Sequence, residues 1–205
     1  MATRVNSDYI ERDALANLVG GSTVDDIARI DYAITAASRY VDSICLRPSI
    51  GGARGGFWNI AAATATFRPQ PGWPAQIGDW AAIGTVATSS DGGSTWSTVS
   101  ASGWQAEPLN ADVMGEVFTE LRVHDFAWPA ETSYPGRPCL RIVGTIGWSA
   151  VPEEVESATT LAAVRWYRRP DAAFGVTGGE FGPVYVRGSD PDCERILHRL
   201  IWRGA

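Results

Sequence analysis

Two histidines, His124 and His198, and three cysteines, Cys45, Cys139 and Cys193, are the side chains of this 205-residue chain best suited to nucleophilic or metal chemistry. Their spacing argues against both. A zinc site draws on closely paired Cys and His, and neither histidine has a cysteine or carboxylate at such a spacing. Three widely separated cysteines give neither a disulfide framework nor a C-x-x-C redox pair, so they read as buried free thiols. A Ser/His/Asp set could be assembled from His124, Asp125 and one of many serines, but no serine lies in a strained nucleophile elbow. Glu153, Glu154 and Glu156 could form an acid/base pair, yet their place in the first turn of a helix is explained by the helix dipole alone. The chain is therefore read as a non-enzyme with no catalytic residue, no metal and no cofactor.

Whole enzyme classes fall away for a second reason. All 17 basic residues are Arg and none is Lys. A Walker A loop needs a lysine at the β/γ-phosphates, and Schiff-base chemistry needs a lysine amine. The run Gly51-Gly52-Ala53-Arg54-Gly55-Gly56 lacks the GxGxxG order of a phosphate cradle and follows a helix, so it reads as a flexible connection. A net charge of −6 also makes a poor general nucleic-acid binder, because duplex affinity comes mainly from cations displacing counterions.

Three groups of residues remain as candidates for binding. Residues 51–150 hold 7 of the 9 tryptophans, which could form a sugar-binding platform or a compact core. Trp80, Trp96 and Trp104 exposed in one row would favour a Trp-based carbohydrate-binding module. Arg165, Arg168 and Arg169 could grip phosphate or carboxylates on a partner, with Trp166 and Tyr167 interleaved as interface-prone residues. The glycine-rich segment from Asp171 to Gly188 is too mobile to serve as core, but Phe174, Phe181, Val184 and Tyr185 give it apolar anchors and Arg187 a charge. Such a segment orders on binding, which makes it the expected contact arm.

The elements that must position these groups divide into three stretches. Residues 51–150 hold 14 of the 22 Gly and 7 of the 12 Pro but only 13 of the 40 charged residues. The flanks carry apolar positions at helical spacing. The expected class is α+β: a small helical bundle from residues 1–50 and 151–205 with a β-rich insertion at 51–150. Ser7 or Asp8 caps a short helix reaching Leu18, and Ser22 with Asp25 begins a second helix extending to Leu46. Ile27, Ile30, Ile34, Ala37, Val41 and Ile44 form its apolar stripe. A third helix opens at Pro152, carries acids first and arginines last, stops at Pro170, and offers Val155, Ala162 and Trp166 as the partner face. Asp190-Pro191 caps a final helix with Ile196, Leu197, Leu200 and Ile201 inward. In the middle, a hairpin joins Trp80–Ser89 to Ser94–Ala101 around Asp91-Gly92-Gly93. Further strands are expected at Ala61–Phe67, Glu116–Val123 and Cys139–Ile146.

The first 13 residues have charges and no apolar core, so they do not read as a secretory signal, and no run of about 20 apolar residues marks a membrane span. Synthesis in a reducing cytoplasm is expected.

Four stretches carry a likeness to a known family. They are Ala37-Ser38-Arg39-Tyr40-Val41-Asp42; the hairpin leading into Glu107-Pro108-Leu109-Asn110; Val143 to Trp148 with Val151-Pro152 opening a helix; and Phe174-Gly175-Val176 through Asp190-Pro191-Asp192. In this order they resemble the head-to-tail connector (adaptor) proteins of long-tailed bacteriophages, especially those of GC-rich actinobacterial hosts. The resemblance implies a structural virion protein at the head–tail interface, made in the host cytoplasm. It would form a ring of its own copies, twelvefold by resemblance, beneath the portal protein, and dock the next neck or tail protein. DNA would pass through the channel without specific binding, and no membrane would be involved. The long middle segment departs from the simplest, all-helical members.

Overall fold

A computed structural model describes residues 8–21, 23–50, 55–57, 61–70, 73–124, 139–168, 176–179, 182–185 and 190–202, with 176–179 and 182–185 described by their backbone. In chain order the elements are α1 (Arg12–Val19), α2 (Val24–Cys45), β1 (Ala61–Phe67), β2 (Ala75–Thr88), β3 (Ser97–Thr98) and β4 (Trp104–Glu107). They continue with α3 (Ala111–Met114), β5 (Phe118–Val123), β6 (Leu140–Ile146), α4 (Glu153–Arg168), β7 (Val176–Gly179), β8 (Gly182–Tyr185) and α5 (Pro191–Leu197). The class is α+β. The described residues form two compact units, one from Met1–Leu46 with Val151–Trp202 and one from Arg47–Ala150.

In the helical unit α2 packs on α4, α1 and α5. The cap of α2 is Thr23 and not Ser22, with Asp26 in the place expected for Asp25. Thr23 Oγ1 accepts from the Asp26 N–H, and the Asp26 carboxylate accepts from the Thr23 N–H, a complete capping box. α1 likewise starts later than a cap at Asp8 requires. Asp8 is drawn onto α2 instead, where it is buried and accepts from Thr35 Oγ1 at 2.9 Å, while the Tyr9 N–H donates to Ser38 Oγ. Ser7 lies outside the described residues.

The buried face of α2 is Ile30, Ala33, Ile34, Ala37, Ser38, Val41 and Cys45, set against Val155, Ala158, Thr159, Ala162 and Ala163 of α4. Small side chains on both helices allow close approach. Two residues of the expected stripe depart from it: Ile27 is 37% exposed and Ile44 is half-buried. Other segments bond to α2 along its length: Tyr167 at Asp26, Arg12 at Asp31, Tyr9 at Ser38 and the Trp202 N–H at the Cys45 carbonyl. Trp166 is half-buried, its ring tilted against Tyr40 at 5.6 Å. α4 carries Glu153, Glu154 and Glu156 in its first turn and Arg165 and Arg168 in its last, so charge and dipole agree. On α5 the buried residues are Cys193 and Leu197, whereas Ile196, Leu200 and Ile201, expected inward, are half-buried. A helix this short presents only a narrow face.

The β unit is an antiparallel sheet of order β1-β6-β2-β5-β4, with β3 on β2. The long β2 serves three neighbours, β3, β5 and β6. Ala75 and Gln76 pair with Leu121 and Glu120 of β5, and the stretch from Ala82 to Thr88 pairs with β6. The register shifts between Gln76 and Trp80, at Gly78, whose φ is 74° and where a Cβ would lie 2.4 Å from Ile50 Cδ1. Only glycine fits that bulge. Ile50, Ile77, Trp80, Leu121, Leu140 and Ile142 centre the core.

The expected hairpin is much shorter than its sequence pattern. β3 pairs with β2 only at Ala87↔Thr98 and Thr88↔Ser97. The Asp91 carboxylate accepts from the N–H groups of Ser94 and Thr95 and from Thr95 Oγ1, which takes those donors out of the ladder. In the glycine-rich segment, where no regular element was expected, β7 and β8 form an antiparallel pair from Val176↔Tyr185 to Gly179↔Gly182.

Candidate functional site

The groups suited to chemistry are dispersed. His124 follows β5 and His198 follows α5, both exposed and in different units. Among the described residues no group of three His, Cys, Asp or Glu could hold a metal ion, and no helix is long and apolar enough to cross a membrane. Cys45 and Cys193 are buried. Burial, with Asp190 beside it, pushes the Cys193 thiol up to about 12, the opposite of what a nucleophile needs.

Of the arginine cluster, Arg165 is engaged inside the chain. Arg165, expected to face a partner, pairs with Asp190 and reaches Asp192 Oδ2 at 3.3 Å, clamping α4 to the capped end of α5. Burial alone would raise the Asp190 carboxyl. Hydrogen bonds from Cys193, the Asp192 N–H and Arg165 outweigh it and hold the group below its ordinary value. Trp166 and Tyr167 are engaged as well. Trp166 packs on Tyr40, and the Tyr167 ring lies under Arg29 at 4.4 Å while its hydroxyl donates to Asp26 at 3.1 Å. Arg168 is exposed at the end of α4. Of the expected arm, Val184 and Tyr185 lie on β8. Arg169, Phe174, Phe181 and Arg187 lie outside the described residues.

The tryptophan row required for a sugar platform is broken at its first member. Trp80 is fully buried, with its Nε1–H donating to the Ile77 carbonyl at 2.8 Å. Trp96 and Trp104 are half-buried, Trp96 under the Arg141 guanidinium and Trp104 against the core.

Two features carry no signature in a sequence pattern. Arg47 and Trp148, near the two ends of the β unit, both bind buried Asp79: Arg47 Nε at 2.8 Å and Trp148 Nε1 at 3.2 Å, with the Gly147 N–H on the Asp79 carbonyl. Phe57 packs on Trp148 and under Arg47. The second is the exposed apolar knob of Leu109, Val113 and Met114 around α3. Apolar residues flanking Asn110 and Asp112 were its only trace. Neither arrangement brings a nucleophile or a pair of facing carboxylates together among the described residues.

Neither the protein-family models nor the curated proteins contain a match to the chain.

Proposed function

We propose that the chain is a structural head-to-tail connector of a long-tailed bacteriophage, a ring subunit beneath the portal that extends the DNA channel and docks the next neck component. One observation carries the reading. Tyr40, in the Ala37–Asp42 stretch, accepts a hydrogen bond from the N–H of Asp190, which opens Asp190-Pro191-Asp192. Two of the four stretches behind the resemblance thus meet in one helical unit. The other two close strands β4 and β6 of the β unit, and Val151-Pro152 leads from there into α4.

The charge is consistent with this role. DNA moves freely only past a wall that does not hold it, and a chain of net charge −6 has little excess cation to displace counterions. The carbohydrate-binding alternative has lost the exposed row on which it depended. Negative-stain imaging of the purified chain mixed with its portal tests the proposal: a ring seated on the portal is expected, and absence of any complex at micromolar concentration overturns it. His124→Ala and His198→Ala should assemble like the parent.

A further inference from the structure

We infer that β1 is a docking edge for strand β7 of a second copy of this chain, joined by strand addition head to tail. The inference rests on the reading of the chain as a ring subunit and names the contact that would close the ring.

β1 is paired along its whole length with β6, from Ala61↔Ile146 to Phe67↔Leu140, and no other described strand lies on it. Among the described residues, the backbone N–H and C=O groups of its far edge therefore have no strand to pair with. Natural sheets guard such edges with charges, prolines, bulges or brevity. The run Ala61-Ala62-Ala63-Thr64-Ala65-Thr66-Phe67 has no charge, no proline and an unbroken register. The remaining edges differ: β4 has four residues, ends in Glu107 and runs into Pro108, and β3 has two. The core also thins toward β1. Ala63 and Phe67 pack against it but are only partly buried, which a further strand would correct.

The occupant is argued from the other sheet. β7 and β8 bond only to each other among the described residues, and an isolated two-stranded hairpin is marginal in water. Both strands are free of charged residues, as β1 is, so pairing them desolvates no ion. Pro183 removes a donor from β8, which leaves β7 as the better strand to pair. The two sheets belong to different units, and among the described residues no strand of one pairs with a strand of the other. An arm of one copy on the edge of the next is a heterologous contact, the kind that closes into rings.

Hydrogen exchange on the intact chain across a concentration series, with sedimentation in parallel, tests this. Exchange at β1 and β7 should slow together, by at least about tenfold, as multimers form. Thr64→Lys places a charge on the edge and Thr177→Pro spoils the arm; each alone should sediment as a monomer. Mixed, they should give dimers, because one intact edge and one intact arm remain. Multimers in which β1 exchange is unchanged would overturn this inference and leave the ring reading standing. Protection of β1 without β7 would overturn the named occupant. A chain that stays monomeric at every concentration and also ignores the portal would remove both readings.

Discussion

The phenolic oxygen of Tyr40 on α2 accepts a hydrogen bond of 2.9 Å from the Asp190 N–H at the cap of α5, while the same ring packs on Trp166 of α4. One side chain thereby ties three helices. Tyr40→Phe keeps the ring contact and loses the acceptor, and should cost about 1 kcal/mol. Tyr40→Ala also loses the packing and should cost roughly 2 to 3 kcal/mol. Urea unfolding of the two variants checks this, and equal losses would contradict the assignment of separate roles to ring and hydroxyl.

Ile34 lies only 3% exposed in the α2–α4 contact, whereas Ile27 on the same helix is 37% exposed. Ile34→Asp buries a charge with no partner and should cost about 4 kcal/mol or more. Ile27→Asp should cost under about 1 kcal/mol. Thermal melting of the pair measures which residues of the apolar stripe are core, and a parent-like melt for Ile34→Asp would sink the helix pairing.

That contrast also shows what a sequence pattern can and cannot locate. The spacing from Ile27 to Ile44 identifies α2 and its apolar side, because periodicity is a property of the helix itself. Which of its positions are buried depends on packing against segments elsewhere in the chain, such as α4 and those bonded through Tyr9, Tyr167 and Trp202, and no local pattern reports them. The strand at 140–146 was legible from alternation, and a strand at 61–67 was also expected. The shortness of β3 was not, because Asp91 diverts its backbone donors through a side chain. The buried Arg47, Asp79 and Trp148 are separated by 32 and 69 residues in sequence and meet only in the fold. Arg165, read as free for a partner, is committed to Asp190 by the packing of α5, which charge patterning alone does not reveal.

Arg47 and Asp79 form an ion pair with both side chains under a tenth exposed. Removing one member strands the other charge, so Arg47→Met should cost about 3 to 5 kcal/mol. The double variant Arg47→Met/Asp79→Leu removes both charges and should recover part of that loss. Recovery should be incomplete, since Trp148 Nε1 loses its acceptor, a cost of about 1 to 3 kcal/mol. A double-mutant cycle in urea measures the coupling; a double variant less stable than Arg47→Met would reverse the argument.

Asp190 and Asp8 should respond to pH in opposite directions. The Asp190 carboxyl is held below its ordinary value, its hydrogen bonds and Arg165 prevailing over burial. A depressed folded-state value stabilises the fold above the unfolded value of about 4, and the benefit is lost as pH falls through the folded value. For Asp8, burial is the largest influence and holds the carboxyl above the ordinary value, against the Thr35 hydrogen bond and the Arg39 charge. There the folded state binds the proton more tightly, so the contribution is full below about pH 4 and lost as pH rises through the folded value. Asp190→Asn retains a capping side chain and should be less stable than the parent at pH 7, with the gap closing below about pH 4. Asp8→Asn should be favoured at pH 7 relative to its standing below about pH 4. Melting temperatures of both variants across pH 3 to 8 decide the matter, and parallel rather than opposed trends would falsify the assignment of burial as the controlling influence at Asp8 alone.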